Sequence, residues 1–294
     1  MIGRPTSAER ARPSSADGAV APSAGRRSFP ALSFVWLTNY GELIRALLRR
    51  EVRARYKGST LGMIWSYVTP LMMMGVYVLV FSVLWRIVTI EHYPLWVLTG
   101  LAVWVFFQAA VQTGISSLPT NAQLIKKVWF PREIAPAVVV LSQLVPLGVM
   151  LAVIVPIDLL VVPRAVKTAL LAVPFLAAFV LLVLGITWLL ATVNVFFRDV
   201  EHVVSAILLP WFFLTPVLYS LEQLPGAADR PWLIDLLRYG NPVTPYVESI
   251  RGVLLQGVVV GPGMLAYVLL AGPVAFVIGL AVIQKFEDGF AVEL

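Results

Sequence analysis

Residues that could perform chemistry are scarce in this chain of 294 residues. It contains no cysteine and only two histidines, His92 and His202, which excludes thiolate chemistry and argues against a histidine-based metal site. The sequence has no G-x-x-x-x-G-K-[ST] loop to cradle phosphates, no paired acidic D-x-D motif, and no Gly-x-Ser-x-Gly or His-Glu-x-x-His motif. We therefore expect a protein that is not an enzyme and carries no cofactor of its own.

The composition indicates that the solvent of this protein is largely lipid. Apolar residues make up 59% of the chain and charged residues 13%, against roughly 45–50% and about 25% in an average globular domain. A chain of this size cannot bury that much apolar surface within itself. The chain has 22 basic and 16 acidic residues. In a membrane protein such an excess of basic residues indicates the orientation of the protein in the membrane and contact with anionic lipid. Nucleic acid is therefore not an expected partner.

Stretches without a charged residue or histidine predict six membrane-spanning helices. A helix needs about 20 residues to cross a hydrocarbon layer of ~30 Å, and the shortest of these stretches has 19. They cover residues 58–85, 93–125, 134–157, 168–197, 203–221 and 252–284. Strands of a membrane barrel would be shorter and would alternate in polarity, which this sequence does not do. The predicted fold is an all-α integral membrane protein with six transmembrane helices.

The distribution of basic residues predicts the orientation. Six spans place both termini on one side, and that side carries 16 of the Lys and Arg residues while the other carries 6. Because basic loops stay in the cytoplasm, both termini are predicted to be cytoplasmic in a multi-pass protein of the cell (inner) membrane. Residues 1–28, rich in Ser, Pro, Ala and Arg, predict a disordered cytoplasmic tail. Residues 58–294 are predicted to form the transmembrane domain.

Residues 29–57 predict a separate region with an amphipathic helix in the cytoplasmic headgroup layer. Apolar side chains recur at three- and four-residue spacing from Tyr40 to Val52, charges occupy the other face, and Asn39 with Glu42 fits a capping box. Its basic residues are Arg45, Arg49, Arg50, Arg53 and Arg55. Such a helix is either a lipid-surface anchor or one that also docks a partner or gates an entrance.

A second cytoplasmic segment, residues 118–135, predicts a short helix that ends before Pro131. Thr120 or Asn121 can cap it. The side chains that it would present to the cytosol are Gln123, Leu124, Lys126, Lys127 and Trp129. Apolar groups at a loop tip are costly to expose, so this tip is either buried at the membrane interface or inserted into a cytosolic partner.

On the other side of the membrane, residues 222–256 predict two short amphipathic helices that dip into the outer leaflet and are separated at Asn241-Pro242. Broken backbone at membrane depth must line protein or water, which indicates the mouth of a pathway. The six stretches contain no charge, which argues against an ion-coupled transporter. The energy for transport is therefore expected from a separate ATPase subunit.

Several short motifs carry a resemblance to a known family through their order and spacing. They are Arg49 to Gly62 leading into Trp65 and Pro70, Asn121 to Glu133, Phe196-Phe197-Arg198-Asp199-Val200, Thr215-Pro216-Val217 with Tyr219, Asn241-Pro242, and Phe286 to Leu294. Across about residues 40–294 the chain resembles the permease subunits of ABC transporters that export lipid-linked cell-surface polysaccharides, such as O-antigen, teichoic acid and capsule. The resemblance implies the permease half of an ATP-driven exporter of such a glycan.

The resemblance also implies partners and roles. Two permeases would pair around a central channel, and each would bind one cytosolic ABC ATPase that carries ATP and Mg. Tyr40–Arg55 would be the gate helix where the lipid-linked headgroup enters, Asn121–Val128 the coupling helix seated in the ATPase, and residues 222–251 the re-entrant helices at the exit. Arg198 and Asp199 would brace the gate or touch the ATPase; alternatively they form a local ion pair, with Asp199 capping the next helix.

Aromatic rings are candidates for the channel lining, because a sugar polymer suits flat surfaces with a polar edge. The candidates are Trp65, Tyr67, Tyr77, Phe81, Trp104, Phe107, Trp211 and Phe212. The alternative is that these rings form the interfacial belt of any membrane protein.

Two further interpretations of the whole chain remain. One is an ABC permease for a drug, antibiotic or small lipid, and the other is a membrane glycosyltransferase, which the missing acidic motif disfavours.

Overall fold

The computed structural model describes residues 40–59, 62–84, 90–127, 131–224 and 229–293. Within these ranges the chain is helical and contains no strand, so the predicted all-α membrane fold is confirmed. The predicted tail 1–28, Asn39 of the predicted capping box, and Val128 and Trp129 of segment 118–135 lie outside the described residues. The side chains of Leu124 and Lys127 also lie outside the description.

The described residues form twelve α-helices. In chain order they are α1 (Gly41–Tyr56), α2 (Trp65–Val78), α3 (Tyr93–Ile115), α4 (Ser117–Thr120), α5 (Ala122–Lys127), α6 (Ile134–Ser142), α7 (Leu144–Val161), α8 (Ala172–Phe196), α9 (Val200–Leu214), α10 (Pro231–Asp235), α11 (Thr244–Arg251) and α12 (Pro262–Glu293). Wider π turns extend α2 over Leu79–Leu84, α10 over Leu236–Gly240 and α11 over Gly252–Gln256. Tighter 3-10 turns lie at Gly62–Ile64, Pro163–Lys167, Ala169–Leu171 and Leu221–Gln223.

Five of the six predicted spans form helical stretches that are long and apolar enough to cross a membrane. They are Gly62–Leu84, Tyr93–Ile115, Ile134–Val161, Ala169–Phe196 and Pro262–Glu287. The remaining stretch, 203–221, is α-helical only as far as Leu214, as part of α9, which has 15 residues. At 1.5 Å per residue, α9 is about 22 Å long and does not reach across the hydrocarbon layer as a helix.

The third span is broken and carries a buried acid. A turn at Gln143 separates α6 from α7 three residues before Pro146, because a proline ring clashes with the carbonyl four residues earlier. The helix then continues beyond Ile157, where the predicted stretch ended, to Val161. Asp158 in this last turn is fully buried and lies beside the Thr99 hydroxyl of α3. The expectation that the spans hold no buried charge was therefore wrong at this position.

Glycines bring α8 and α12 into close parallel contact. A Cβ on Gly272 would lie 2.0 Å from the Ala178 carbonyl oxygen, and a Cβ on Gly279 would lie 2.4 Å from the Gly185 carbonyl oxygen. Only residues without a side chain allow backbones to approach so closely. The two contacts share one sequence offset, so both helices run in the same direction. The chain must therefore return to its starting side between α8 and α12.

That return begins with α9, which packs antiparallel to α3. The Gln112 amide donates to the Ser205 hydroxyl at 3.5 Å, and the rings of Phe107 and Trp211 lie 5.2 Å apart. The earlier residue of α9 thus contacts the later residue of α3. Helix α9 ends at Leu214, near the middle of α3, and the chain continues beyond it without helix.

Candidate transport site

The helix predicted to lie in the headgroup layer is present as α1. Its apolar side chains, among them Leu43, Ile44, Leu47 and Leu48, pack on the core of the subunit. Its opposite face is exposed and carries Arg45, Arg49, Arg50 and Arg53. The helix begins at Gly41 with Tyr40 as its N-cap residue, which makes no capping hydrogen bond. Glu42 pairs with Arg45 at 3.3 Å, both side chains being exposed.

One arginine of α1 reaches the helix predicted to couple to an ATPase. Arg50 Nη2 donates to Asn121 Oδ1 at 2.7 Å, and Asn121 Nδ2 donates to the Ser117 carbonyl at 2.8 Å. Asn121 lies between α4 and α5, immediately before the first residue of α5. The amide predicted as a possible helix cap is therefore used to hold the guanidinium of Arg50. A direct hydrogen bond thus links α1 to the residue that immediately precedes α5.

A second arginine joins α1 to the break in the third span. Arg55 donates to Gln143 Oε1 and to Ser142 Oγ, the latter at 3.1 Å. Gln143 Nε2 in turn donates to Thr113 Oγ1 of α3 at 3.3 Å. Arg55 is half-buried, and within the described ranges it has no carboxylate partner. Its charge therefore meets only neutral dipoles.

A cavity of about 420 Å³ lies beside Arg55, between the end of α1 and helices α2, α3 and α7. Polar groups at one end include Arg55, Tyr56, Ser66 and Thr113, and the Tyr56 and Ser66 hydroxyls are 2.8 Å apart. The rest of the wall is apolar and includes Pro70, Ala102, Phe106, Leu147 and Met150. The cavity is thus polar and cationic at one end and apolar at the other. This arrangement suits a molecule with a polar head and an apolar chain.

The short helix α5 was predicted as the coupling helix, and the structure describes its position but only part of its side chains. It runs from Ala122 to Lys127, ending before Pro131 as predicted. Gln123 and Lys126 are exposed on it. The roles assigned to Leu124 and Lys127 stay predictions.

The turn between α8 and α9 holds Arg198 and Asp199, both exposed. Asp199 is the N-cap residue of α9 but makes no capping hydrogen bond, so its alternative assignment as a helix cap was wrong. Asn194 takes that role, because its Oδ1 accepts the Glu201 backbone N–H at 3.2 Å. Within the described part of the chain, Arg198 and Asp199 form no ion pair with each other.

The aromatic candidates for the channel lining fall into two groups. Trp104, Phe107 and Phe212 are at most 5% exposed and pack α9 against α3 inside one subunit. Those that reach the surface lie on or just beyond α2 and on α9, and they are Trp65, Tyr67, Tyr77, Phe81 and Trp211. In this conformation only the second group is available to a channel.

The chain leaves α9 as a non-helical turn segment, residues 215–218, in which three backbone carbonyls accept hydrogen bonds from side chains. Arg251, which is 1% exposed, donates to the carbonyl of Pro216 and, at 2.5 Å, to that of Val217. Tyr93 OH donates to the Leu218 carbonyl at 2.9 Å. Three consecutive carbonyls without helical partners thus receive donors from elsewhere in the fold.

Arg251 is anchored on α3 as well. Its Nε donates to the Trp96 carbonyl at 3.1 Å, and its guanidinium carbon lies 4.3 Å from the centroid of the Trp96 ring. Gly100 makes room for it, since a Cβ there would lie 2.0 Å from Arg251 Nη2. Sequence reasoning counted Arg251 only as an outer basic residue. The feature of the sequence that could have indicated its burial was the position of Arg251 between Ile250 and the apolar run that follows Gly252.

Beyond residues 215–218, an ion-pair network links the extension of α10 to α11 and to the 3-10 turn at Leu221–Gln223. Arg238 bonds Glu222 at 2.5 Å and Glu248 at 2.9 Å. Burial raises the pKa of Glu222, but hydrogen bonds from Ser220, the backbone and Arg238 outweigh it, so this pKa lies below its usual range. For Glu248, burial outweighs the attraction of Arg238 and raises the pKa. The same network raises the pKa of Arg238 despite its burial.

The predicted break between two short outer helices is confirmed at Asn241-Pro242, between α10 and α11. Asn241 is buried and serves as a hub. Its Oδ1 accepts from Trp211 Nε1 and from the Val243 backbone N–H, each at 3.0 Å, and its Nδ2 donates to Thr215 Oγ1 at 2.8 Å. The amide thus fixes the break against the end of α9.

The described geometry agrees with what comparisons with known proteins find. The family model described as "ABC-2 type transporter" matches residues 42–255, from the start of α1 to the end of the α11 extension. A protein named "O-antigen export system permease protein RfbA" from Myxococcus xanthus is 32% identical over 220 residues, covering 75% of this chain and 83% of the relative. A protein of the same name from Klebsiella pneumoniae is 29% identical, covering 85% and 94%. "Polysialic acid transport protein KpsM" from Escherichia coli is 21% identical, covering 83% and 93%.

Proposed function

The chain belongs to the ABC-2 type transporter family, and we propose that it is the membrane half of an exporter whose cargo is a lipid-linked polysaccharide and whose energy comes from a separate ATPase. It is a polysaccharide export permease in the inner membrane, and its relatives are named for O-antigen, polysialic acid and capsule polysaccharide. These names do not favour the alternative of a drug, antibiotic or small lipid. ATP and Mg would be held by the ATPase, since the sequence has no loop to bind them.

The cavity beside Arg55 carries the proposal for the cargo. A lipid-linked glycan presents an anionic linkage between a sugar and a long apolar chain. The half-buried guanidinium of Arg55 can receive the anion, and the apolar wall of the cavity can receive the first part of the chain. The exposed arginines of α1 would draw the same headgroup from the anionic leaflet. We therefore assign α1 as the gate helix at the cytoplasmic entrance.

The bond between Arg50 and Asn121 supports a mechanical link between gate and ATPase. If α5 is the coupling helix, a movement of the ATPase displaces Asn121, and through it α1. Arg198 and Asp199 lie in the turn between α8 and α9, where both side chains are exposed and would be available to the same ATPase. Replacing Leu124 and Lys127 with Asp should uncouple ATP hydrolysis from transport. Unchanged co-purification of the ATPase and unchanged transport-linked hydrolysis would refute this role.

The parallel packing of α8 and α12 supports six crossings, which would place both termini on the same side of the membrane. Two parallel spans require a return path, and α9 together with residues 215–218 supplies one. A half-unwound span is tolerated in a bilayer only where protein satisfies its backbone, which Arg251 and Tyr93 do here. Helices α10 and α11 would then be re-entrant elements at the outer mouth.

The exposure of the first span supports a dimer around a central channel. Only 6% of its most apolar stretch is buried within the subunit, against 67% for the second span. Its aromatic side chains Trp65, Tyr67 and Tyr77 would face the second copy or the polymer, with Phe81 and Trp211 nearby. Two copies of this chain and two ATPases would form the complete exporter.

Depletion of the protein in its host tests the function. We expect surface polysaccharide to fall and lipid-linked polymer to accumulate inside the cell. Arg55→Gln should reproduce this phenotype at normal protein levels, whereas Arg49→Gln, which removes only one of the four exposed arginines of the same helix, should retain most of the export. Normal surface polymer without accumulation after depletion would contradict the proposed function, and equal export by both variants would contradict the assignment of the cavity.

A further inference from the structure

A second cavity, of about 360 Å³, lies at the opposite end of the subunit from Arg55. It is open on one side and bordered by the segment after residue 215, the end of α10, helix α11 with its extension, and the start of α12. Side chains that line it include Tyr219, Glu222, Arg238, Tyr239, Glu248 and Gln256. Its volume lies in the range of sites that hold small ligands, about 300–1,000 Å³.

The charges around this cavity cancel. Glu222 and Glu248 supply two carboxylates, and Arg238 and Arg251 supply two guanidinium groups. Arg251 is 1% exposed, uses three of its five N–H groups on backbone carbonyls, and lies close enough to Glu248 for their charges to interact. The remaining ion pairs are internal to the wall. A phosphate or a divalent cation would find no uncompensated charge here, so the geometry favours a neutral polar ligand.

The wall offers donors and acceptors together, on planar groups. Arg238 bonds the two carboxylates through Nε and Nη2, which leaves the N–H groups of Nη1 unused by them. Each carboxylate oxygen has two lone pairs and can accept beyond its present bonds. Gln256 is exposed at the rim, and its amide has no partner in the part of the chain that the structure describes. A hydroxyl group, which donates and accepts at once, is matched by such a set.

Flat apolar surfaces stand beside these polar groups. Tyr239 is 40% exposed, with its ring centroid 5.9 Å from that of Tyr267, and the half-buried Tyr219 also lines the cavity. An aromatic ring packs well against the apolar C–H face of a sugar ring while its hydroxyl stays polar. Neutral charge, paired donors and acceptors, and aromatic walls together are the chemistry of saccharide recognition.

We propose that this cavity is a saccharide-binding subsite at the exit, which holds a neutral sugar unit of the exported polymer as it leaves. The proposal rests on the function proposed above and adds a contact between this chain and the glycan itself. A sugar held outside the membrane would hinder the polymer from sliding back between ATPase strokes.

Ligand-observed NMR on the detergent-solubilised full-length protein tests the subsite. The probe is a set of short oligosaccharides released by mild acid from the host cell's own surface polysaccharide. The test variant combines Tyr239→Ala with Gln256→Ala. The matched control combines Trp232→Ala with Gln223→Ala, because these residues are exposed in the same outer region but do not line the cavity. Melting temperatures of both variants report whether each has folded.

We expect saturable binding to the wild type and to the control, and binding about tenfold or more weaker in the test variant, as loss of a stacking contact and a hydrogen bond implies. Absence of saturable binding to the folded wild type, or equal binding by both variants, would overturn the subsite. If the binding test refutes the subsite, loss of surface polymer after depletion of the protein would still support the export function. A failure of the export function would instead appear as normal surface polymer in depleted cells.

Discussion

Replacing Gly100 with alanine should break the contacts that hold residues 215–218, the segment that follows α9. The new Cβ would lie 2.0 Å from Nη2 and 2.8 Å from Cζ of Arg251. Contacts below 3.0 Å require a shift, and the guanidinium can give way only by leaving its site. The carbonyls of Trp96, Pro216 and Val217 would then lose their donor.

The expected loss follows from those three carbonyls. An unsatisfied buried acceptor costs about 1–3 kcal/mol, so three of them cost about 3 kcal/mol or more. For a protein of this size, 1 kcal/mol shifts the melting temperature by about 2–4 °C, which gives a fall of about 6–12 °C. Surface polysaccharide should fall with it, because residues 215–218 would lose the contacts that fix their backbone.

The assay is thermal unfolding in detergent, followed by tryptophan fluorescence, together with surface polymer in cells. Gly148→Ala is the matched control, since a Cβ at that helical glycine of the third span meets nothing within 4 Å. It should leave stability unchanged or slightly raised. Arg251→Met should destabilise as Gly100→Ala does, and the double variant should lose less than the sum of both. Wild-type melting and export by Gly100→Ala would refute the reasoning.

Three further outcomes are expected. Gly279→Ala should destabilise the α8–α12 contact and reduce export, because its Cβ meets backbone at 2.4 Å, whereas Gly263→Ala in the same helix meets nothing within 4 Å and should melt as the wild type does. Arg50→Ala should keep the ATPase bound but lower the rate of transport-stimulated ATP hydrolysis, whereas Arg49→Ala should leave this rate unchanged. Equal hydrolysis rates in the two variants would contradict the link through α1. The pKa of Glu222 lies below its ordinary 4.5, so the stability it provides is complete above about pH 4.5 and is lost as the pH falls through the lowered pKa. Melting of Glu222→Gln should therefore fall less between about pH 5 and pH 3 than melting of the wild type, and parallel curves would argue against this pair.

Local patterns were sufficient to predict most of the helices. Charge-free length identified five of the spans, and three- and four-residue spacing identified α1, because a helix facing two solvents must sort its side chains by period. The break at Asn241-Pro242 was also predictable, since proline removes a donor and restricts the residue before it. These features depend on neighbours in sequence.

Features that depend on distant parts of the chain could not be predicted. The bonds from Arg251 to Pro216 and Val217 bridge more than thirty residues, and the charge of Arg251 alone indicated only an outer loop. Asp158 stood one residue beyond a charge-free run, so its burial depended on how far α7 continues. The bond between Arg50 and Asn121 joins two segments that each had a separate predicted role. Tertiary packing decides such contacts.

Reconstitution of the purified permease into liposomes, with and without its ATPase partner, tests the central claim most directly. The measurement is the movement of a lipid-linked polysaccharide across the bilayer, followed by its accessibility to an added glycosidase. A passive conduit powered by another polypeptide should move the glycan only when both the ATPase and ATP are present. Transport by the permease alone, or along an ion gradient, would contradict the account.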